Sequence, residues 1–175
     1  MSSHKQGRFM RRTVLAFAIA AGALVAGGCQ PLYGPTVSGV SLESELQAIE
    51  VKPAPDRIGH YIVNELTFAL NGTGTKVAPK YRLTVLVKER AQSPLIDTVV
   101  GRASSATVLV DAYYELERIG SDNLVAKGSV FVTQSYDRTS QRLSNVRAAR
   151  DAEIRDAKEL ARQIRDRIAL TLSSR

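Results

Sequence analysis

The chain has few of the residues on which catalytic and metal-binding sites usually depend. Cys29 is its only cysteine, and its two histidines are His4 and His60. A zinc site needs several cysteine or histidine ligands, and a disulfide within the chain needs a second cysteine, so neither is available. The sequence also has no Gly-x-Ser-x-Gly elbow and no glycine-rich phosphate-binding loop with its Lys-Ser or Lys-Thr pair. These absences predict a protein that is not an enzyme and holds no metal and no cofactor.

Two weak candidates for catalysis remain. His60 lies near the start of a predicted helix, and Asp111, Glu115 and Glu117 share one face of a predicted strand. Carboxylates on a strand face are more often solvated residues that pair with Lys and Arg across the sheet. A single histidine in this position is most simply an exposed helix residue. An enzyme that uses these groups stays as an alternative to a binding protein.

The start of the chain has no acidic residue and has the layout of a bacterial secretory signal. An apolar segment, Val14–Val25, is too short to span a bilayer comfortably, and the small residues 26–28 lead directly to Cys29. A cysteine at the cleavage point is typical of a lipobox, although Ala26 stands where lipoboxes usually carry Leu. The sequence predicts a lipoprotein signal peptide over residues 1–28, cut between Gly28 and Cys29. The alternative is an ordinary secretory signal with a cysteine nearby. The basic residues of the start are Lys5, Arg8, Arg11 and Arg12.

Lipidation would give Cys29 a diacylglycerol and an N-acyl chain, typically palmitate, and several acyl chains anchor a protein more firmly than one. Cleavage would leave 147 residues, the size of one domain, and would lower the net charge from +7 to +3 because four basic residues are removed. That charge is too small to indicate nucleic-acid binding. No second apolar stretch reaches the length of a transmembrane helix. The acyl chains on Cys29 are therefore the predicted membrane anchor.

The remaining chain is predicted to form a tether followed by one domain. Residues 29–45 form the predicted lipidated tether, since residues 30–41 are rich in Pro, Gly and Ser, and residues 46–175 form the domain. A first strand is predicted from about Leu46 to Lys52. Asp56 is the predicted cap of a helix that runs to about Leu70 and ends at the Asn-Gly-Thr-Gly segment 71–74.

The middle of the chain alternates apolar and polar residues, which predicts strands with one buried face. The first of these strands begins at Tyr81. The apolar faces of the next two are predicted to hold Ala106, Val108, Val110, Ala112, Tyr114 and Leu116, and then Leu124, Ala126, Val130 and Val132.

From about Ser140 the period becomes helical almost to the end. A coiled coil is a weaker alternative than a helix that covers the sheet. The order β-α-β-β-β-α predicts an α+β two-layer sandwich, with about four strands and both helices packed on one face. The predicted apolar stripe of the last helix is Leu143, Val146, Ala149, Ile154, Ala157, Leu160, Ala161, Ile164, Ile168 and Leu172.

Basic side chains on the open face of the sheet are the remaining candidates for a binding site. Lys88 and Lys127 lie on polar strand faces, and Arg90 and Arg102 lie near strand ends. Such cations could bind the phosphates of a lipid or the acidic wall of a partner. Because single surface cations are common, these four residues are tentative assignments.

In the segments Cys29–Gly34, Arg57–Asn71 and Tyr81–Val85, the chain resembles one family, the alphaproteobacterial type of the LptE lipopolysaccharide-assembly lipoproteins. Cys29-Gln30-Pro31-Leu32-Tyr33-Gly34 is similar to the family's opening, without the dipeptide that usually follows the cysteine. Arg57-Ile58-Gly59 and the segment 64–71, Asn-Glu-Leu-Thr-Phe-Ala-Leu-Asn, resemble its first helix. Tyr81–Val85 resembles its second strand. The order of predicted elements agrees over essentially the whole domain.

The resemblance implies a function without catalysis. Members of the family sit on the periplasmic face of the outer membrane, plug the lumen of a large β-barrel protein and help to assemble it. The two proteins together place lipopolysaccharide (LPS) in the outer leaflet, and the lipoprotein itself is implied as an LPS-binding protein. A periplasmic accessory lipoprotein of an ABC-type lipid transporter is the alternative. The family's ligand residues cannot be matched one by one to this chain.

Overall fold

A computed structural model describes residues 39, 41–72, 74, 77–92, 96–97, 102–103, 105–121 and 123–174. The predicted signal, most of the predicted tether and Cys29 lie outside the described residues. The elements are, in chain order, α1 (Leu42–Gln47), β1 (Ile49–Val51), α2 (Arg57–Leu70), β2 (Tyr81–Gln92), β3 (Ile96–Asp97), β4 (Arg102–Ala103), β5 (Ser105–Arg118), β6 (Leu124–Asp137) and α3 (Arg142–Ser173).

The main sheet has four strands in the order β1-β2-β5-β6. β1 runs parallel to β2, and the other neighbours are antiparallel. β3 and β4 form a separate two-stranded pair between β2 and β5. The α+β class and the four-stranded sheet with two long helices are confirmed. The short helix α1 and the β3–β4 pair were not predicted.

One face of the sheet carries the core, as the alternation predicts. The inward residues of β5 from Ala106 to Leu116 are all buried, and Leu83 of β2 is fully buried. α2 and α3 pack against this face and against each other, with Ile62, Leu66 and Ile164 completely inaccessible to solvent. Burial of a large aliphatic side chain contributes about 1.5–3 kcal/mol, so this interface stabilises both layers at once.

The predicted apolar face of β6 is wrong at its first residue. A register shift between Leu116 and Glu117 of β5 leaves Val125 as an extra residue of β6. Beyond such a bulge the alternation of side chains changes face. Leu124 is therefore exposed, while Val125 is buried. Val130 and Val132 lie in the core as predicted.

The predicted apolar stripe of α3 is wrong at its first two members. Leu143 is 63% exposed and Val146 is 51% exposed, whereas Ala157 and the later residues of the stripe through Leu172 are buried. The buried residues of α3 begin at Ala152. The first ten residues of α3, Arg142–Asp151, contain no buried residue, so this part of the helix projects beyond the core.

The first strand begins later than predicted because Leu46 belongs to α1. α1 is held to the sheet through Glu45, which accepts hydrogen bonds from Lys80 Nζ at 2.6 Å and from the Tyr81 hydroxyl at 2.7 Å. Burial alone would raise the pKa of Glu45, but these hydrogen bonds outweigh it and lower the pKa. Leu42 of α1 is fully buried. The folded region therefore begins at least four residues before the predicted domain boundary at residue 46.

Arg57-Ile58-Gly59 forms the first turn of α2, and each of the three residues has a structural role there. Asp56 caps the helix as predicted, because its side chain accepts a hydrogen bond from the Gly59 N–H at 2.6 Å. A Cβ on Gly59 would lie 2.6 Å from the Cβ of Ala54, so the close turn before the helix requires glycine. Ile58 enters the core, and Arg57 forms an ion pair with Glu153 of α3.

Candidate functional site

The face of the sheet opposite the helices is open among the described residues and carries polar, charged and apolar side chains together. Three large apolar residues are exposed on it: Leu86 by 60%, Tyr113 by 45% and Phe131 by 73%. Leu86 lies directly opposite Tyr113 in the register, and Phe131 lies diagonally from Tyr113 on β6. They form one apolar strip across three strands.

Charged residues flank this strip. Lys88 places its Nζ 5.7 Å from the centre of the Tyr113 ring, within reach of a cation–π interaction. Lys127 lies opposite Glu115 on the other side of the strip. Between them is a shallow groove of about 670 Å³ lined by Thr84, Leu86, Tyr113, Tyr114, Glu115, Lys127, Gly128 and Ser129. An amphiphilic surface of this kind can accept both polar and apolar partner groups.

The four tentative binding residues lie at different positions on the sheet. Lys88 and Lys127 both face the open side, opposite Asp111 and Glu115 of β5, which are four residues or roughly 13 Å apart along the strand. Arg90 is already engaged in an ion pair with Asp111 at 2.5 Å. The backbone of Arg102 lies in β4, and its side chain is outside the described part of the structure. The structure therefore brings only Lys88 and Lys127 to the groove or its margin.

The candidates for catalysis do not form a site together. His60 is exposed on α2, on the other layer from the open face that carries Asp111, Glu115 and Glu117. Glu115 lies opposite Lys127, and Asp111 is paired with Arg90, as expected of a solvated sheet face. Among the described residues, no group of three or more His, Cys, Asp or Glu side chains could hold a metal ion.

A basic end of the molecule, formed by Arg138, Arg142, Arg147 and Arg150, was missed by the sequence analysis. The four residues are exposed, and none makes an ion pair among the described residues. The segment 138–150 contains no acidic residue, which is the signal that could have revealed the basic end. The first turn of α3 has no acidic residue to balance the positive end of the helix dipole. Unpaired positive charge is therefore concentrated here.

The connection from β6 to α3 gives the basic end a defined shape. Asn145 accepts a hydrogen bond from the Thr139 N–H at 2.8 Å and donates one to the Thr139 carbonyl at 2.9 Å. These bonds fix the turn and hold Arg138 and Arg142 on either side of it. A groove of about 590 Å³ lies here, beside the exposed Leu143 and Val146. Its lining residues are Tyr136, Arg138, Thr139, Ser140, Arg142, Asn145, Val146 and Ala149.

Two carboxylates of α3, Glu153 and Asp156, lie inside the molecule, and Glu89 of β2 lies close enough to act on them although it is exposed. Glu153 is nearly buried and binds Arg57 through both oxygens, at 2.6 and 2.9 Å. Asp156 is fully buried, and neither of its carboxylate oxygens has a hydrogen-bond partner. Burial raises its pKa to about 7, and the negative charges of Glu89 and Glu153 act in the same direction. Burial likewise raises the pKa of Glu89.

Comparison with known proteins identifies the class of protein that this fold defines. The model of the LptE family, described as lipopolysaccharide-assembly, matches residues 46–168. The match covers most of the chain, so the chain belongs to the LptE family. A search of curated proteins finds no match.

Two solved structures agree with this assignment. A protein from Caulobacter crescentus CB15, named as a lipoprotein, is 27% identical, with a TM-score of 0.65 over 77% of this chain and 97% of that chain. A minor lipoprotein from Acinetobacter baumannii is 16% identical, with a TM-score of 0.52 over 70% of this chain and 88% of that chain. The second likeness concerns the fold alone.

The predicted family resemblance is thus confirmed, and the family's role in lipopolysaccharide assembly applies to this chain. No helix among the described residues has both the length and the apolar composition needed to cross a membrane.

Proposed function

We propose that this protein is an outer-membrane lipoprotein that plugs and helps to assemble an LPS-translocating β-barrel, and that it binds LPS during insertion into the outer leaflet. Membership of the LptE family supports the general role. The observation that carries the LPS-binding part is the basic end, where four unpaired arginines stand beside exposed Leu143 and Val146. LPS presents phosphates and acyl chains, the two chemical groups that such a surface can bind.

The membrane anchor of the proposed lipoprotein is Cys29, acylated after cleavage behind Gly28. The folded region begins by Leu42, which is buried against the core. Ser41 lies twelve positions after Cys29, and an extended chain of twelve residue steps spans at most about 40 Å. The domain would therefore stay close to the periplasmic face of the outer membrane, where a barrel lumen opens.

The open face of the sheet is the surface that we assign to the barrel interior. A barrel lumen is polar and water-filled, and this face carries both charge signs together with hydroxyl groups of β5 and β6. Lys88 and Lys127 remain proposed partner-binding residues, since neither has an ion-pair partner among the described side chains. Arg90 would contribute only if its pair with Asp111 opened.

The experiment that tests the barrel partnership is affinity purification of the full-length protein from detergent-solubilised outer membranes, followed by mass spectrometry. We expect one large β-barrel protein in stoichiometric amount. Recovery with an inner-membrane ABC transporter would favour the accessory-lipoprotein alternative. Recovery of the protein alone would contradict the plug assignment.

The experiment that tests LPS binding compares two double variants. Arg142→Ser combined with Arg147→Ser removes two unpaired charges of the basic end, and we expect a several-fold loss of LPS bound by the purified protein. Lys158→Ser combined with Lys52→Ser removes two exposed charges outside the basic end that have no ion-pair partner among the described residues, and serves as the matched control. Equal LPS binding by both variants would show that the basic end is not the LPS site.

A further inference from the structure

The first turn of α3 lacks the features that usually stabilise the start of a helix. Gln141 at the N-cap position forms no side-chain hydrogen bond to the N–H groups of that turn, and the turn contains no acidic residue. Arg142 instead places positive charge at the end of the helix where the dipole favours anions. The segment Arg142–Asp151 contains no buried residue, so packing in the core does not hold it. Another contact must fix this part of the helix.

Asn145, the first residue of α3 that is partly buried, supplies that contact. Its Oδ1 accepts a hydrogen bond from the Thr139 N–H at 2.8 Å, and its Nδ2 donates one to the Thr139 carbonyl at 2.9 Å. We call these two hydrogen bonds the Asn145–Thr139 clamp. The Thr139 hydroxyl also accepts from the Gln141 N–H at 3.2 Å. One side chain of the helix therefore binds both main-chain groups of a residue in the preceding connection.

Arg138 and Arg142 stand on the two sides of the clamp. Arg138 directly precedes Thr139, and Arg142 lies one turn before Asn145 on the helix. All four residues line the groove of about 590 Å³ at the basic end. The position of the Arg138 side chain relative to that of Arg142 therefore depends on the turn that the clamp closes.

Two acidic residues adjoin the basic end in the chain, and neither neutralises it. Asp137, the last residue of β6, is exposed and forms no ion pair within the part of the chain that the structure describes. Asp151 pairs with Arg155, farther along α3. Between Asp137 and Asp151 the chain carries four arginines and no acidic residue. Positive charge remains in excess even when Asp137 is counted, so the arginines favour an anion as their partner.

We propose that Asn145 is a positioning residue for LPS binding: through the clamp it holds Arg138 and Arg142 where both bind phosphate groups of one LPS molecule. This inference rests on the LPS binding proposed above and names the residue that gives the site its shape. A site whose groups are held in place beforehand loses less conformational entropy when the ligand binds. The amide oxygen and nitrogen of Asn145 are both engaged by Thr139, so Asn145 acts through the arginines.

The test compares Asn145→Ala with Ser144→Ala in the full-length lipoprotein. Asn145→Ala removes both hydrogen bonds of the clamp and keeps every arginine. Ser144→Ala removes the neighbouring hydrogen bond from Ser144 Oγ to Gln141 Oε1, leaves the clamp intact and is the matched control. Binding of purified LPS is measured in a nonionic detergent. Because the ligand must then order the start of α3, we expect Asn145→Ala to weaken LPS binding about fivefold or more and Ser144→Ala to leave it unchanged.

Hydrogen exchange of residues 138–147, with and without LPS, distinguishes positioning from direct contact. In free Asn145→Ala the Thr139 amide has lost its acceptor, so we expect it to exchange faster than in the wild type, and saturating LPS should slow it again. In the wild type the Thr139 amide should stay protected when LPS binds. If Asn145 bound LPS directly, the clamp would open and this amide would exchange faster in the complex, which would contradict the inference.

The outcomes separate this inference from the proposed function. Wild-type LPS binding by a folded Asn145→Ala variant would overturn the positioning role and leave the LPS site intact. Weaker binding without faster exchange in the free variant would also overturn it. Undiminished LPS binding by Arg142→Ser combined with Arg147→Ser would overturn the LPS site and this inference with it. Thermal unfolding shows whether Asn145→Ala is folded, and if it is not, the exchange of the Thr139 amide in the wild type decides.

Discussion

At the scale of single residues, Asp156 is the position where burial and ionisation conflict most directly. Its carboxylate is fully buried between the helices and the sheet, and neither oxygen has a hydrogen-bond partner. Arg155 acts to lower its pKa, but burial, Glu89 and Glu153 outweigh that effect and raise the pKa to about 7. An unpaired buried charge is costly, so the native state favours the protonated form of Asp156.

The raised pKa of Asp156 predicts a pH-dependent stability. Its ordinary value is 3.8 and its native value about 7, so between these limits the native state binds more protons than the unfolded state. The contribution of this group to the free energy of unfolding therefore falls as pH rises from about 4 to 7. We expect Asp156→Asn to gain stability relative to the wild type as the pH rises past 7, by at most about 4 kcal/mol, since the pKa is raised by about three units and each unit corresponds to about 1.4 kcal/mol.

Urea unfolding of both proteins at pH 5 and pH 8 measures this effect. The difference between Asp156→Asn and the wild type should be larger at pH 8 than at pH 5. The same difference at both pH values would show that Asp156 has an ordinary pKa in the native state. Asp137→Asn, at an exposed site of β6 that has no ion-pair partner among the described residues, is the control for the loss of one negative charge.

At the scale of secondary-structure elements, α3 divides into two parts with different roles. From Ala152 onward it buries a regular stripe against the sheet and α2. Its first ten residues bury no side chain and carry Arg142, Arg147 and Arg150 together with exposed Leu143. Both parts have the same apolar periodicity. They differ in burial because the sheet and α2 do not extend far enough to cover the first part. The first part is available for binding because the fold does not use it for packing.

This division of α3 predicts stability effects of very different size for two similar substitutions. Ile164 is fully buried, so Ile164→Ala should lower the free energy of unfolding by about 2–5 kcal/mol. Leu143 is 63% exposed, so Leu143→Ala should change it by less than about 0.5 kcal/mol. Chemical denaturation measures both. A large loss for Leu143→Ala would mean that the start of α3 packs against part of the protein.

At the scale of the whole molecule, we assign anchoring, barrel contact and LPS binding to different parts of the protein. In our proposal Cys29 holds the domain at the membrane, the open face of the sheet contacts the barrel, and the basic end binds LPS phosphates. α2 and α3 pack against the face of the sheet that lies opposite the open face, and the hydrophobic core lies between them and the sheet. Substitutions on the open face should therefore affect binding without unfolding the domain.

The anchor predicts a separation of localisation from folding. Cys29→Ser removes the thiol that would be acylated, so we expect the variant to leave the membrane fraction, while its thermal unfolding midpoint stays within a few degrees of the wild type. Fractionation, metabolic labelling with palmitate and circular dichroism measure these properties. A palmitate-labelled Cys29→Ser protein in the outer membrane would contradict the lipobox prediction.

The sequence by itself determined the fold class, the caps and the family. Alternation in β2 and β5, the Asp56 cap and the late apolar stripe of α3 depend on local periodicity and turn chemistry, which are properties of neighbouring residues. The opening at Cys29 and the short segments around Arg57 and Tyr81 predicted the family that the comparison confirmed. The lipobox at Cys29 stays a sequence-based prediction.

Only the tertiary structure decided which residues are covered and which charges remain unpaired. The bulge at Val125, the exposure of Leu143 and Val146, and the anchoring of α1 through Glu45 depend on strand register and on where neighbouring elements end. Arg90 is paired with Asp111 on the neighbouring strand, 21 positions later in the chain, whereas no described carboxylate forms an ion pair with the arginines of the basic end. Local periodicity carries no information about such contacts, so the binding surfaces emerged only from the folded molecule.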